Sequence, residues 1–358
     1  MKFAGLEFMA GKAQRVGVVG ATSLLGKELS EELGESALAA AELVLLDDDE
    51  AAGQLAPAGD EASFIQKLTE TSFEGLDYVF FAGSAQVTRE HWQSARRAGA
   101  TIVDLTDALE DEASVLVRAP WMRAVLGTEA TAGPRLPDLN TAAVVAAHPE
   151  AVMLALVAAR IHSKLPVAAM VATVMEPASE YGRKAMDELH QQTVSLLSFH
   201  DLPREQYDAQ VAFNLLPALG EEAKVTFADV QQRIERHYAA LSEGALPPLD
   251  LQVLYAPVFH GHTASVLVEL RAAASVVDVE GALAGKHIEV VTDESDPPSN
   301  LSASGQRSVL ARVRKATGQS DGKRFWLWLA TDNLKLAAAN AIACAVELRR
   351  FQPHGKVQ

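Results

Sequence analysis

The chain has 358 residues, 49% of them hydrophobic, which is enough for about two domains that each bury a core. Its formal net charge of -16 at pH 7 repels polyanions, so we exclude nucleic acid as a partner and expect a small molecule or another protein. The start lacks the basic and apolar regions of a secretion signal, and the longest apolar run, residues 151–159, is too short to span a bilayer. We therefore expect a cytoplasmic protein that does not bind a membrane.

The first part of the chain alternates strand and helix patterns. The predicted strands lie at residues 16–20, 43–50, 78–82 and 101–104, and the predicted helices lie at residues 24–33 and 87–98. This alternation is typical of a mostly parallel sheet with helices on both faces. The sequence thus predicts an α/β fold that begins with a Rossmann-type dinucleotide-binding domain.

From about residue 170 the pattern changes to longer strands, which predicts a second, mixed α+β domain. Its strands are expected at residues 170–175, 251–257, 265–271, 288–291, 308–313 and 325–330, with helices at residues 183–198 and 228–242. Residues 293–305, DESDPPSNLSASG, are rich in turn formers and predict a surface loop. A last amphipathic helix follows, and Cys344 occupies a predicted buried position on it.

Nine short motifs occur along the chain in an order that is typical of one enzyme family. They are VGVVGATSLLGKELSEEL (16–33), VFFAGSA (79–85), GATIVDLT (99–106), LPDLN (136–140), GRKAMDELHQQT (182–193), FNLLP (213–217), PVFHGHTASVLVEL (257–270), VRK (313–315) and TDNLKLAAANA (331–341). In this order they resemble the aspartate-semialdehyde dehydrogenase family over nearly the whole chain, and most closely its Usg branch of paralogues.

The resemblance implies two domains and a homodimer. Residues 1–150, rejoined by a C-terminal helix at residues 332–358, would form the dinucleotide-binding domain. Residues 151–331 would form the domain that carries the substrate site and the dimer interface. A shared interface would also permit a heterodimer with an active paralogue.

The resemblance also implies that the catalytic nucleophile is missing. Catalytic members of the family place a cysteine at a helix N-terminus in an Asn-Pro-Asn-Cys segment, where the helix dipole lowers the pKa of the thiol. The matching residues here are His148, Pro149, Glu150 and Ala151. Alanine cannot attack an aldehyde, so we expect no phosphorylating semialdehyde dehydrogenase activity.

Other substrate positions have changed as well. The family's carboxylate-binding arginine aligns with Tyr255, and its phosphate-binding arginine aligns with Glu110. His262 matches the family's general base. Further acidic or bulky residues replace a glutamine and two glycines at Glu176, Glu180 and Tyr181. The sequence therefore predicts an acidic pocket.

The glycine-rich loop after the first strand is the expected cofactor site. We assign cofactor contacts, some by resemblance, to Gly17, Gly20, Ala21, Thr22, Ser23, Gly26, Asp47, Asn333 and Asn340. The three glycines would serve a turn, a close backbone approach and helix packing, and the Ser23 hydroxyl would cap the helix or donate to phosphate. The acids at residues 47–50 repel a 2′-phosphate, so NAD is favoured over NADP, unless this is a solvated turn and no dinucleotide binds.

Three functions remain open from the sequence. The first is a non-catalytic paralogue that binds a dinucleotide or serves as a dimeric scaffold. The second is an NAD-dependent oxidoreductase for another small carbonyl or hydroxy substrate, with His262 as acid and base. The third is a repurposed hydrolytic or metal site; no metal is assigned, and the weak candidate ligands are His148, Glu150, Glu176, His260 and His262. His262 is equally consistent with a purely structural role.

Overall fold

The computed structural model describes residues 14–58, 61–126, 135–224, 227–318 and 321–351. The strands are β1 (Arg15–Val19), β2 (Glu42–Asp47), β3 (Leu55–Ala58), β4 (Glu61–Phe64), β5 (Gln66–Lys67), β6 (Tyr78–Phe81), β7 (Thr101–Asp104), β8 (Val115–Arg118), β9 (Ala143–Ala146), β10 (Val167–Glu176), β11 (Leu249–Tyr255), β12 (His262–Leu270), β13 (Ile288–Val290), β14 (Val309–Lys315) and β15 (Arg324–Thr331). The helices are α1 (Leu24–Gly34), α2 (Ala85–Arg97), α3 (Trp121–Leu126), α4 (Pro149–His162), α5 (Arg183–Leu197), α6 (Phe227–Ser242), α7 (Val276–Leu283), α8 (Asn300–Ala303) and α9 (Asn333–Arg349), with a 3₁₀ turn at Ala178–Tyr181.

The first sheet is parallel and has the strand order β5-β2-β1-β6-β7-β9-β8. Its central strands are almost wholly buried because helices cover both faces. Along β1, Val16 and Val18 pack with α1 and α9, whereas Val19 packs in the core beneath α2. The expected Rossmann-type architecture is confirmed.

The second sheet is mixed and has the order β11-β10-β12-β15-β14-β13. Burial alternates strictly along β12, so only one face of the sheet lies against the core formed with α4, α6 and α7. The opposite face includes the partly exposed side chains of Val171 and Trp326. The expected second α+β unit is therefore present as well.

The last helix, α9, packs against the N-terminal part of the fold. Helix α9 packs on α1, β7 and β9 of the first sheet, and the buried Arg118 of β8 forms a two-pronged ion pair with Glu347 of α9 at 2.8 and 2.9 Å. Cys344 is fully buried on this helix, as predicted. The end of the predicted helix, residues 352–358, lies outside the described residues. No helix within the described part of the chain is both long enough and apolar enough to cross a bilayer.

Two sequence predictions were wrong in detail. The segment at residues 293–305 is not entirely loop, since Ser299 and Ser302 form a reciprocal capping box that closes the single helical turn α8. Strand β12 begins at His262, three residues earlier than expected, because its backbone pairs with the end of β15 at Thr331. His262 is therefore a strand residue.

Candidate functional site

A cavity of about 290 Å³ opens at the carboxyl edge of the first sheet. In this sheet β1 lies between β2 and β6, so the connections after β1 and before β6 run to opposite sides. The cavity lies at this topological switch point, which is where α/β sheets bind ligands. The lining residues come from the glycine loop, from the ends of β6, β7 and β9, from the 3₁₀ turn, and from α6 and α9. They include Ser23, Gly83, Thr106, Asp107, His148, Ser179, Glu180, Arg233 and Asn333.

The glycine loop has the close packing that the sequence predicted. Gly20 has a φ of +82°, and a Cβ there would lie 2.2 Å from Cα of Gly83. A Cβ at Gly26 would lie 2.2 Å from the carbonyl oxygen of Gly20, so this glycine permits the helix to approach the loop. Gly17 lies inside β1 and packs against Leu76, so the prediction that it belongs to the ligand-binding turn was wrong.

Ser23 is the N-cap of α1. Its Oγ accepts the Gly26 N–H at 2.8 Å and donates to the carbonyl oxygen of Ala82 at 2.7 Å. Both hydrogen-bonding functions of this hydroxyl are therefore already used in joining the loop to the end of β6. Ala21, by contrast, is buried and offers no polar side chain.

The acidic residues at the end of β2 and in the turn after it have separate partners. Asp47 Oδ2 accepts both the N–H and the hydroxyl of Thr22, at 2.8 and 2.7 Å, so it is fixed on the glycine loop. Asp48 accepts two backbone N–H groups of its own turn, and Asp49 pairs with Lys67 at 2.7 Å. Of the four acids, Asp47 is the one that faces the expected cofactor loop.

Helix α4 begins at the position of the missing nucleophile. His148 is the N-cap residue, Pro149 is the first helical residue, and Ala151 is fully buried in the first turn. The N–H of His148 donates to Nδ1 of His237 on α6 at 2.8 Å. The start of the helix is thus fixed by an imidazole that sequence reasoning did not identify.

A carboxylate between two imidazoles forms the centre of the site. Nε2 of His148 lies 3.1 Å from Glu180 Oε1, and Nε2 of His262 lies 3.1 Å from Glu180 Oε2. The Asn333 amide donates to the same Oε2 at 3.2 Å. We call these four residues the Glu180 cluster.

The charges within the Glu180 cluster follow from these contacts. Burial alone raises the pKa of Glu180, but its contacts with His148 and His262 outweigh burial and hold this pKa well below the usual range. Burial lowers the pKa of both imidazoles; Glu180 reverses the shift for His148, whose pKa is raised, but not for His262, whose pKa is lowered. The favoured state is therefore a protonated His148, an ionised Glu180 and a neutral His262.

Two further carboxyl groups lie behind the cluster. Glu150 and Glu176 are fully buried, and Glu150 Oε1 lies 3.4 Å from Nε2 of His262. Burial, followed by the charge of Glu180, raises the pKa of Glu176 to about 7, and burial beside Glu176 raises the pKa of Glu150 well above its usual value. Tyr181 donates its hydroxyl to Glu176. The protonated form of Glu150 is therefore favoured, and Glu176 titrates near neutral pH.

The prediction of an acidic pocket needs a correction, because two arginines of α6 pair with Glu110. Glu110 pairs with Arg233 at 2.9 Å and with Arg236 at 2.7 Å, and it also lies 3.4 Å from His237 Nε2. Although burial raises the pKa of Glu110, these partners hold it at about 2. The carboxylate that replaces the family's arginine is thus balanced in charge.

The predicted metal ligands do not form a metal site together. His148, Glu150, Glu176 and His262 converge, but His260 is partly exposed on the loop before β12 and forms no ion pair with them within the described residues. In the described part of the chain, three potential ligand atoms cluster instead at Asp107, Glu110 and His237. His237 Nδ1 already accepts a hydrogen bond, so its Nε2 carries the proton and cannot bind a cation.

Of the remaining predicted site residues, Asn333 lines the cavity, whereas Asn340 and Tyr255 do not. Asn333 lines the cavity, and its Oδ1 accepts Ser179 Oγ at 3.2 Å and the Gly261 N–H at 3.1 Å. Asn340 is fully buried beneath the cavity-lining face of α9 and donates to the carbonyl oxygen of Arg118, so its assignment to the cofactor was wrong. Tyr255 is fully buried against Tyr207, with ring centroids 5.0 Å apart, in place of the expected cation.

Comparison with known proteins gives matches along most of the chain. Residues 15–131 match the semialdehyde dehydrogenase NAD binding domain, and residues 159–336 match the semialdehyde dehydrogenase dimerisation domain. A USG-1 protein homolog from Pseudomonas aeruginosa is 32% identical over 91% of this chain and 95% of its own length. The chain belongs to the aspartate-semialdehyde dehydrogenase family.

Other members of the aspartate-semialdehyde dehydrogenase family agree in sequence and in fold. An aspartate-semialdehyde dehydrogenase from Rickettsia typhi is 25% identical over 94% of this chain and 98% of its own length. The structure of a probable aspartate-semialdehyde dehydrogenase from Pseudomonas aeruginosa has a TM-score of 0.78 and 29% identity, covering 94% of this chain and 98% of that one. The Vibrio cholerae aspartate semialdehyde dehydrogenase II has a TM-score of 0.81 at 22% identity, covering 95% of this chain and 99% of that one, and shows the shared fold.

The raised pKa of Glu176 predicts a pH-dependent stability. A carboxyl group whose pKa rises on folding contributes stability that is full below its unfolded pKa, 4.5 here, and is lost as pH rises through about 7. Glu176→Gln does not titrate, so the wild type should lose about 1 to 3 kcal/mol of unfolding free energy relative to the variant between about pH 5 and pH 8. Urea unfolding at both pH values measures this difference.

The exposed Glu205 supplies the matched control for this substitution. Glu205→Gln should keep the pH dependence of the wild type, because it makes the same chemical change on the surface and leaves the buried carboxyl group of Glu176 in place. An unchanged pH dependence in Glu176→Gln would contradict the assignment of a buried, protonated carboxyl group.

Proposed function

We propose that this family member binds NAD and lacks phosphorylating semialdehyde dehydrogenase activity. The observation that carries the proposal is Ala151, which occupies the nucleophile position at the start of α4 with a fully buried side chain. The covalent step of the family needs a thiolate, and alanine has no group that forms a bond to a carbonyl carbon. The complete burial of this position would also oppose the ionisation of a thiol placed there.

The glycine loop supports dinucleotide binding. The close packing of Gly20, Gly26 and Gly83 holds the glycine loop against the start of α1, and a helix N-terminus favours phosphate. Asp47 lies at the end of β2, where a carboxylate accepts ribose hydroxyls and repels a 2′-phosphate. A bound NAD would supply hydride-transfer chemistry at the adjacent cavity, with the glycine loop and Asp47 holding its phosphate and ribose groups.

We also propose a homodimer formed through the second unit, residues 151–331, with residues 1–150 and 332–358 as the nucleotide-binding domain. The match to the family's dimerisation domain supports this assignment. The open face of the second sheet, which includes Val171 and Trp326, supports it further. A heterodimer with an active paralogue would use the same face, and a cytoplasmic location remains our prediction.

An NAD-dependent oxidoreductase is the second candidate function. The Glu180 cluster favours it, because imidazoles with opposite pKa shifts beside a cavity are suited to proton exchange. Direct hydride transfer to a carbonyl group needs a dinucleotide and a proton donor but no cysteine.

The preference for NAD can be measured by calorimetric titration with NAD and with NADP. We expect NAD to bind at least about tenfold more tightly, or about 1.4 kcal/mol, because Asp47 repels the additional phosphate. Asp47→Asn should reduce this ratio, whereas Asp49→Asn should not, because Lys67 already neutralises Asp49. Tighter binding of NADP to the wild type, or no binding of either dinucleotide, would contradict the proposal.

Restoring the nucleophile tests the loss of the family's reaction. Ala151→Cys should remain inactive in phosphate-dependent oxidation of aspartate semialdehyde, because the arginine positions are Tyr255 and Glu110 and because burial opposes the ionisation of the thiol. An active family enzyme assayed in parallel serves as the control. Activity in Ala151→Cys above the rate of the wild type would show that the substrate site has been retained.

A further inference from the structure

The two histidines of the Glu180 cluster differ in their access to the cavity. His148 lines the cavity, together with Glu180 and Asn333. His262 is fully buried and does not line it, and its Nε2 lies between carboxylate oxygens of Glu180 and Glu150 at 3.1 and 3.4 Å. A ligand in the cavity therefore meets His148 first.

His148 is held from two sides, and one of its ring nitrogens has no partner. Its backbone N–H donates to His237 Nδ1, and the other nitrogen of His237 faces Glu110. Its ring Nε2 contacts Glu180. The ring Nδ1 has no hydrogen-bond partner among the described residues, although the side chain is only 5% exposed. Leaving such a buried nitrogen unbonded is costly, so the position favours a ligand oxygen.

We propose that His148 donates a proton to a carbonyl oxygen of a ligand in this cavity, with Glu180 and the pair of His237 and Glu110 as positioning residues. This assignment rests on the dinucleotide binding proposed above and replaces His262 in the acid and base role. The ligand class is an uncharged ketone or aldehyde, and its reductant is the nicotinamide dinucleotide.

The charges of the cavity select an uncharged ligand. Its described lining contains two cationic side chains, His148 and Arg233. His148 is paired with Glu180, and Arg233 is paired with Asp107 at 3.3 Å and with Glu110 at 2.9 Å. Neither cation is left over to balance a carboxylate of the substrate, so burial of a charged substrate beside His148 would be opposed.

The reaction balances with one hydride and one proton. The carbonyl carbon receives the hydride from the reduced nicotinamide, the carbon–oxygen double bond becomes a single bond, and the oxygen takes the proton of His148 Nδ1. The alcohol leaves, the dinucleotide is oxidised, and solvent returns a proton to the imidazole. Glu180, which keeps His148 protonated at rest, therefore favours carbonyl reduction.

The groups that face His148 come from several elements. They are Glu180 on the 3₁₀ turn, Asp107 after β7, Glu176 on β10, His237 on α6 and His262 on β12. When ionised, the three carboxyl groups favour the protonated form of His148, Glu180 most strongly, and burial lowers the pKa of His262. A positive nicotinamide ring in the cavity would oppose the protonated form.

This opposition gives a test that needs no substrate. Calorimetric titration with NAD and with NADH, in buffers of different ionisation enthalpy over about pH 6 to 9, measures the protons released on binding. The wild type should release a fraction of a proton with NAD and almost none with NADH. The same titrations in the Glu176→Gln background remove the other group of the cluster that titrates near pH 7. In that background His148→Asn, which introduces the residue that the family has at this position, should bind both dinucleotides and release no proton.

Matched variants separate the alternatives. His262→Gln and the exposed control His190→Asn should both release protons as the wild type does. Release that persists in His148→Asn, or that disappears in His262→Gln, would overturn the assignment of His148. Binding of NAD by the wild type without release would overturn it while leaving the proposed function intact. Failure of both dinucleotides to bind would instead overturn the proposed function, and this inference with it.

The ligand class has its own test. Oxidation of NADH by the wild type is followed with cyclohexanone, benzaldehyde and the charged 2-oxo acid pyruvate as probes. We expect turnover with an uncharged probe, at least about tenfold faster than with pyruvate, and loss of that turnover in His148→Asn. Faster turnover of pyruvate, or no turnover of either uncharged probe, would overturn the assigned class.

Discussion

The buried carboxylate of Glu180 is the constraint on which the rest of the site depends. Removing a carboxylate from water costs several kcal/mol unless charges and hydrogen bonds replace the lost hydration. Two imidazoles and one amide provide this replacement here, from His148, His262 and Asn333. These partners stand at the beginnings of α4, β12 and α9, so one ion fixes the relative positions of elements from both sheets.

The replaced residues compensate one another. Where the family has an arginine, Glu110 forms ion pairs with Arg233 and Arg236 and lies beside His237. His237 in turn accepts the backbone N–H of His148 at the start of α4. Where the family has a thiol, Ala151 leaves a small apolar side chain near carboxyl groups whose pKa values burial raises. Changing one member alone would leave a buried charge without a partner, so the site is consistent as a set and is not simply a damaged family site.

The sequence predicted those features that arise from local patterns. The parallel sheet, the packing glycine at Gly26 and the cap at Ser23 follow from periodicity, glycine placement and helix-start chemistry. It did not identify Arg233 or His237, because their partners lie 89 or more residues away and no local pattern encodes such contacts. Asn340 was misassigned for a related reason: helical spacing shows that a residue lies on a helix but not which face meets the cavity.

The central claim is that Glu180 holds one imidazole charged and leaves the other neutral. Long-range proton–nitrogen NMR of the uniformly labelled protein distinguishes these states, with His148→Asn and His262→Gln used to assign the signals. At about pH 7, we expect both ring nitrogens of His148 to be protonated and only one nitrogen of His262 to be protonated. A neutral His148, or a doubly protonated His262, would contradict it.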